Sequence, residues 1–199
     1  MTLCGKYVPI VALALLLGCT SAPVETAQAP ATPVSLLIQR LDDPNQAAIA
    51  YSSRKIYQRG STRPEGKGIP PDRIGWTLLG LQDRITGQRR YRLTLAMTYD
   101  NEETAGYRNY DRAQVLPNGP ALAVQPFSRN RGNCGGALNN FCLTNEVVFA
   151  WLAEETLRNA EPEGLVLQVN GEIGRGWEFT VPKALIQALF DKMDRGAAG

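Results

Sequence analysis

The sequence predicts a mainly β protein, an antiparallel β-sandwich with short helices and an amphipathic helix at its C-terminal end. Three observations predict it. Residues 91–99 alternate, with Tyr91, Leu93, Leu95, Met97 and Tyr99 on one side and Arg92, Thr94, Ala96 and Thr98 on the other. One apolar and one polar face suits an antiparallel sheet that is wet on one side. Turn-forming runs such as Thr86-Gly87, Pro117-Asn118-Gly119-Pro120 and Asn170-Gly171 separate the apolar stretches, as between short antiparallel strands. Near the end, Leu185, Ile186, Leu189, Phe190 and Met193 recur at helical spacing, which makes one apolar stripe along a helix.

Composition narrows the function. The chain has 199 residues, with 44% hydrophobic and 20% charged, ordinary values for a globular protein. Lys and Arg number 21 against 19 Asp and Glu. That near-balance argues against a dedicated nucleic-acid binder, which needs a net basic face for phosphate. There is no histidine. Ser-His-Asp and Cys-His catalysis and His-ligated metal sites are therefore excluded.

In chain order, Lys6 precedes an apolar run over residues 8–17, followed by Gly18 and Cys19. The run is too short to span a hydrocarbon core of roughly 30 Å and reads as an export signal. Leu16-Leu17-Gly18-Cys19 resembles a bacterial lipobox. The resemblance implies that residues 1–18 are a signal peptide. It implies that Cys19 is the first mature residue and carries acyl chains, palmitate among them, so that the membrane is the first partner. Thr20 in place of Asp implies the outer membrane, with the domain facing the periplasm. A plain secreted protein with a chance Cys19, an inner-membrane protein and a surface-exposed one are the alternatives. Two or more acyl chains make attachment stable, where one is reversible.

Residues 20–34, TSAPVETAQAPATPV, carry one charge and no large apolar side chain, too little to order themselves. They read as a flexible tether. Extended at about 3.1 Å per residue it spans on the order of 45 Å. Residues 35–199 read as one globular β-rich domain.

Within it, residues 35–51 suggest a short helix or irregular segment broken by the turn Asp42-Asp43-Pro44-Asn45, then a strand near 52–58. Residues 60–73 hold three Gly and three Pro and read as a loop. Residues 74–82 and 90–99 make a hairpin. Residues 100–104 read as an acidic loop, 121–127 as a strand, and 129–140 as a Gly- and Asn-rich loop. From Cys142 on, both faces are apolar: Val147, Phe149 and Trp151 on one, Val148, Ala150 and Leu152 on the other. That predicts a central strand buried on both sides. A short helix over 154–160, a hairpin of 165–169 with 177–181, and a helix starting at Pro182 complete the domain.

With Cys4 in the signal peptide and Cys19 acylated, Cys134 and Cys142 remain, in an oxidising compartment. They are expected to form a disulfide. A redox or metal pair is the alternative, without the usual Cys-x-x-Cys spacing. Arg89, Arg90 and Arg92 around Tyr91 form one basic cluster, and Tyr107, Arg108, Tyr110 and Arg112 another. Arg offers a bidentate fork and Tyr a stacking face, so these residues are the candidate anion or partner site. The bland alternative is solvated strand faces and core tyrosines.

Other motifs carry less. Ser52-Ser53-Arg54-Lys55 matches the SxxK pattern of penicillin-recognising enzymes without its companion motifs. Gly171, Gly174 and Gly176 fall in the wrong order for a dinucleotide loop. The pairs Asp42-Asp43, Glu102-Glu103 and Glu154-Glu155 are adjacent in sequence, which does not place two carboxyls across a cleft. Glu146 leads into the apolar strand and is read as an edge or paired carboxylate.

The order Tyr107, Tyr110, Ala113, Cys134, Cys142, Glu146, residues 165–169 and the Pro182 helix is similar to small uncharacterised proteobacterial envelope proteins, over residues 72–193. The resemblance carries no activity and no functional residue. The expected function is therefore a lipid-anchored, periplasm-facing binding or envelope-maintenance module, with no catalytic residue, metal or cofactor. Its expected partners are the membrane and an envelope protein, lipopolysaccharide or peptidoglycan. A carboxylate-based hydrolase and a structural subunit of an envelope complex are the alternatives.

Overall fold

A computed structural model of the chain describes residues 37–59, 72–102, 106–134, 141–160, 164–173 and 176–197. The predicted signal peptide, Cys19 and the tether lie outside these residues, as does most of the predicted loop over 60–73. Among the described residues, ten strands form one antiparallel sheet. They are β1 (Ile38–Leu41), β2 (Ala48–Ser53), β3 (Ile56–Arg59), β4 (Arg73–Asp83), β5 (Arg89–Glu102), β6 (Tyr110–Val115), β7 (Ala121–Cys134), β8 (Phe141–Leu152), β9 (Leu165–Gly171) and β10 (Trp177–Val181). The order is β1-β2-β4-β5-β8-β7-β6-β9-β10, with β3 beside β4. Two helices, α1 (Glu154–Asn159) and α2 (Lys183–Ala197), complete the fold.

The mainly β, antiparallel prediction holds. A sandwich would need two stacked layers, whereas these strands form one sheet curled into a half-barrel. Strand β7 carries the sheet from one half to the other. Its residues 121–123 pair with β6 and its residues from Val124 to Cys134 pair with β8, with the register slipping between Pro126 and Ser128. An extra residue at such a slip bends a strand and sharpens its twist, and Pro126 has no N–H to give to a ladder.

The concave side is the core. Every second residue of β5 points into it, from Tyr91 to Tyr99, joined by Ile74, Trp76 and Leu78 of β4 and by Leu165, Leu167 and Val169 of β9. Helix α2 contacts β1, β2 and β4. It buries Leu185, Ile186, Leu189, Phe190 and Met193, the stripe read from the sequence. It sits so close that a Cβ on Gly80 would lie 2.4 Å from Met193 Sδ. The N–H groups of Leu185 and Ile186 donate to Pro182 O at 3.0 and 3.2 Å, so the proline stands immediately before the helix, which begins at Lys183, one residue after the predicted start. No helix among the described residues is long and apolar enough to cross a membrane.

Four local expectations change. Residues 37–59 hold three short strands rather than a helix and one strand. Alternation there is weak because Ala48, Ala50 and Ser52 are small, and pairing with β4 supplies the order instead. Residues 100–102 of the predicted acidic loop are strand, because β5 runs on to Glu102 opposite Phe141, and the rest of that loop lies outside the described residues. Strand β6 forms where none was expected, over Tyr110–Val115. The polar residues 129–134 are strand, not loop. Arg129, Asn130 and Arg131 stand opposite Glu146, Asn145 and Thr144.

Cys134 and Cys142 are disulfide-bonded and stand opposite each other in the β7–β8 ladder. The bond closes a short loop, so replacing both cysteines by Ser should lower stability by about 2–3 kcal/mol on the chain-entropy estimate. Urea unfolding of the variant beside the oxidised parent measures this. Identical midpoints would show that the β7–β8 ladder holds the loop unaided.

Candidate functional site

The outward side chains of the sheet's middle strands carry the site. Because β5 alternates, Arg90 and Arg92 point away from the core that Tyr91 and Leu93 enter. Across the ladders, Arg90 stands beside Leu81 and Arg92 beside Leu79 of β4, and Arg92 faces Trp151 of β8 on its other side. The Arg90 guanidinium lies 5.4 Å from the Trp151 ring centroid. That of Arg92 lies 5.5 Å from Phe149 and 6.0 Å from Trp151. Phe127 occupies the register slip of β7 and meets Phe149 edge-on at 6.5 Å, and Phe149 meets Trp151 edge-on at 6.1 Å. Three rings thus form a row with two cations laid on it.

This row is open. Phe127 is 67% exposed and Trp151 39%. The strand predicted to be buried on both faces is central, between β5 and β7, but on its second face Val147 and Phe149 are half-buried and Trp151 is exposed. Among the described residues no carboxylate forms an ion pair with Arg90 or Arg92, and the Arg92 Nε is buried without a hydrogen-bond partner. Cation–aromatic contacts contribute about 0.5–1 kcal/mol each where exposed and more once water is excluded.

Of the predicted basic residues, Arg89 is turned elsewhere. It pairs with Asp194 of α2 at 2.6 Å. The second cluster, Tyr107 to Arg112, does not extend the outer face. Tyr110 is buried, and its hydroxyl accepts from Trp177 Nε1 at 3.0 Å, so it packs the core, as the bland reading held. Arg108 lies over the inward ring of Tyr99 at 4.1 Å and donates to Asp72 at 2.8 Å. Arg112 pairs with Asp111 and donates to Gly171 O at 3.1 Å. The Tyr107 ring takes Arg129 and Arg131 at 5.7 and 5.5 Å.

At the centre of that second cluster is Glu146, wholly buried. Its Oε1 accepts from the Tyr99 hydroxyl, from Arg108 N at 2.8 Å and from Asn109 N at 3.2 Å. Arg129 Nε stands 3.3 Å from Oε2, close enough for an ion pair but without hydrogen-bond alignment. Asn109 has a left-handed φ of 52°, which Asn tolerates better than most residues. Its side chain donates to Glu172 at 2.6 Å. Behind it, a Cβ on Gly171 would fall 2.3 Å from Arg108 O. Glu146 is therefore the paired carboxylate read from the sequence. Its chemistry is structural, since its donors pin residues 106–110 against the sheet.

Burial, reinforced by the hydrogen bond to Glu154 at 3.0 Å, pushes the Tyr91 hydroxyl up to about 12. In an unfolded chain a tyrosine titrates near about 10. The folded value is the higher, so the stabilisation is complete below pH 10 and is lost as pH rises from about 10 towards 12. Alkaline unfolding should begin in that window and be shallower in Tyr91→Phe, followed by circular dichroism against pH. An unchanged slope in the variant would assign the loss to other groups, Tyr99 first, whose hydroxyl burial and Glu146 also raise.

A pocket of about 510 Å3 lies elsewhere, between the turn that holds Pro117 and Pro120 and helix α1. Among the described residues no group of three or more acidic or cysteine side chains is placed to hold a metal ion. Comparison with family models, curated proteins and solved structures finds no match for this chain.

Sequence reasoning picked out Arg90 and Arg92 but missed Phe127, Phe149 and Trp151. The signal was present in β8, whose second apolar face has no second layer of strands over it among the described residues.

Proposed function

We propose that this chain is a membrane-tethered binding module of the bacterial envelope, acylated at Cys19 and held off the outer membrane by residues 20–34. The observation that carries the reading is the open row Phe127–Phe149–Trp151 with Arg90 and Arg92 laid on it. Surfaces that bind concentrate energy in exposed aromatic and Arg side chains. Monomeric domains seldom leave a cluster of large apolar side chains facing water without a use. The lipobox-like tetrapeptide and the Ala/Pro/Thr run behind it support the anchoring half of the proposal.

Two measurements test it in cells that make the full chain. A photo-activatable benzoylphenylalanine at position 127 should give discrete adducts, whereas the same residue at Ile85, 94% exposed on the β4–β5 turn, should not. Equal labelling from both positions would sink the binding reading. Acyl label should be lost in Cys19→Ala, and label retained there would sink the anchor.

A further inference from the structure

We infer that the Arg90–Arg92–Trp151 face takes an acidic protein segment, one that presents a carboxylate among apolar side chains. This rests on the reading of the chain as a binding module and names the chemistry of its partner.

The charge argument comes first. Two guanidinium groups stand on one sheet face with no ion pair to either among the described residues, Arg90 feeling the charge of Asp83 without pairing with it. The guanidinium carbons lie 5.4 Å from the Trp151 centroid (Arg90) and 5.5 Å from that of Phe149 (Arg92). Guanidinium N–H groups can fork onto a carboxylate. The surroundings favour a carboxylate borne on a protein. Leu79 and Leu81 flank the two arginines on one side, half-buried, and Phe127 and Trp151 project on the other. An apolar partner surface would cover these side chains and exclude water from the ion pair between them, which strengthens it. The face lies on the outer, convex side of the curled sheet. None of its residues lines the described pockets, which argues against a small molecule.

Two other occupants fit less well. An anionic membrane would gain about 1 kcal/mol for each of only two cations, while Leu79 and Leu81 sit on a strand face rather than at a projecting tip. A second copy of the chain, docked face to face, would bring four guanidinium groups together in a two-fold contact, and like charges opposed across an interface repel.

The adduct formed from position 127 provides the test, in the full chain in cells. Arg90→Gln with Arg92→Gln should cut the adduct yield by about tenfold, a loss of about 1.4 kcal/mol. Arg112→Gln, outside the face, should leave it unchanged, and thermal unfolding of both variants should match the parent. Peptide mapping should place the crosslink in a protein segment that contains Asp or Glu. Changing that acid to Arg while making Arg92→Glu should restore the yield. A protein adduct that ignores the Gln changes overturns the partner chemistry and leaves the binding module standing. An adduct with the mass of a lipid or glycan, or of a dimer of this chain, does the same. No adduct from position 127 overturns both.

Discussion

Glu146→Ala should lower the stability of the domain by about 2–6 kcal/mol, from two backbone N–H groups left without an acceptor at about 1–3 kcal/mol each. The carboxylate is wholly buried and answers three donors through one oxygen, two of them backbone N–H groups of Arg108 and Asn109. Alanine leaves those N–H groups without an acceptor, and an unmade buried hydrogen bond costs about 1–3 kcal/mol. It also strands the Tyr99 hydroxyl and removes the anion beside Arg129. Glu146→Gln keeps an acceptor in the same place and should lose about 1–3 kcal/mol. Chemical denaturation ranks the two variants. Amide exchange gives a local readout, with faster exchange at Arg108 and Asn109 in the alanine variant than at core amides of β5. Unchanged protection at those two amides would show that Gly171 and Glu172 hold the segment by themselves.

The second large effect belongs to α2. Leu189→Ala should cost about 2–5 kcal/mol, the range for truncating a buried leucine where the surroundings close only partly over the void. Leu189 is fully buried on the inward stripe of the helix. Its neighbour across the contact is the bare backbone of Gly80, with Leu189 Cδ1 3.2 Å from where a Cβ there would stand. A rigid strand cannot fill the space that the lost methyl groups leave. Thermal unfolding measures the effect, and a midpoint equal to the parent's would mean that α2 is dispensable to the sheet. Ile85→Ala is the control, since that side chain meets only solvent.

Strand β5 and the stripe of α2 were legible in the sequence, because each buries one face and the alternation or helical spacing records it. The step from strands to architecture was not. Period-two alternation says which side chains point inward, but a curled sheet and a sandwich give the same record along each strand. The decisive features are the register slip at Pro126 and the sharing of β7 between β6 and β8, and these depend on partners far away in sequence. The strand over Arg129–Cys134 was hidden for a related reason. Its polar residues are ordered by the ladder to β8 and by the disulfide, not by apolar burial. Arg90 and Arg92 could be chosen from sequence as an exposed basic pair. The rings they lie on belong to strands fifty and more residues later, and Trp151 was assigned to a buried face. Tyr110 shows the opposite error. Its Arg neighbours made it look like surface, whereas Trp177 and Tyr99 enclose it.

The position of β1 gives the domain a mechanical order of failure. The chain enters the described sheet at Leu37, whose carbonyl accepts from Arg54 N at 2.9 Å, and goes straight into β1, an edge strand of four residues paired only with β2. The aromatic row lies on β8 and β7, with β2, β4 and β5 intervening. If the N-terminus is anchored and a partner grips that row, as proposed above, a pull between them loads the four-pair β1–β2 ladder first. On the proposed anchoring and binding, β1 would peel from β2 and add its length to the tether before the pairs that carry the row are strained.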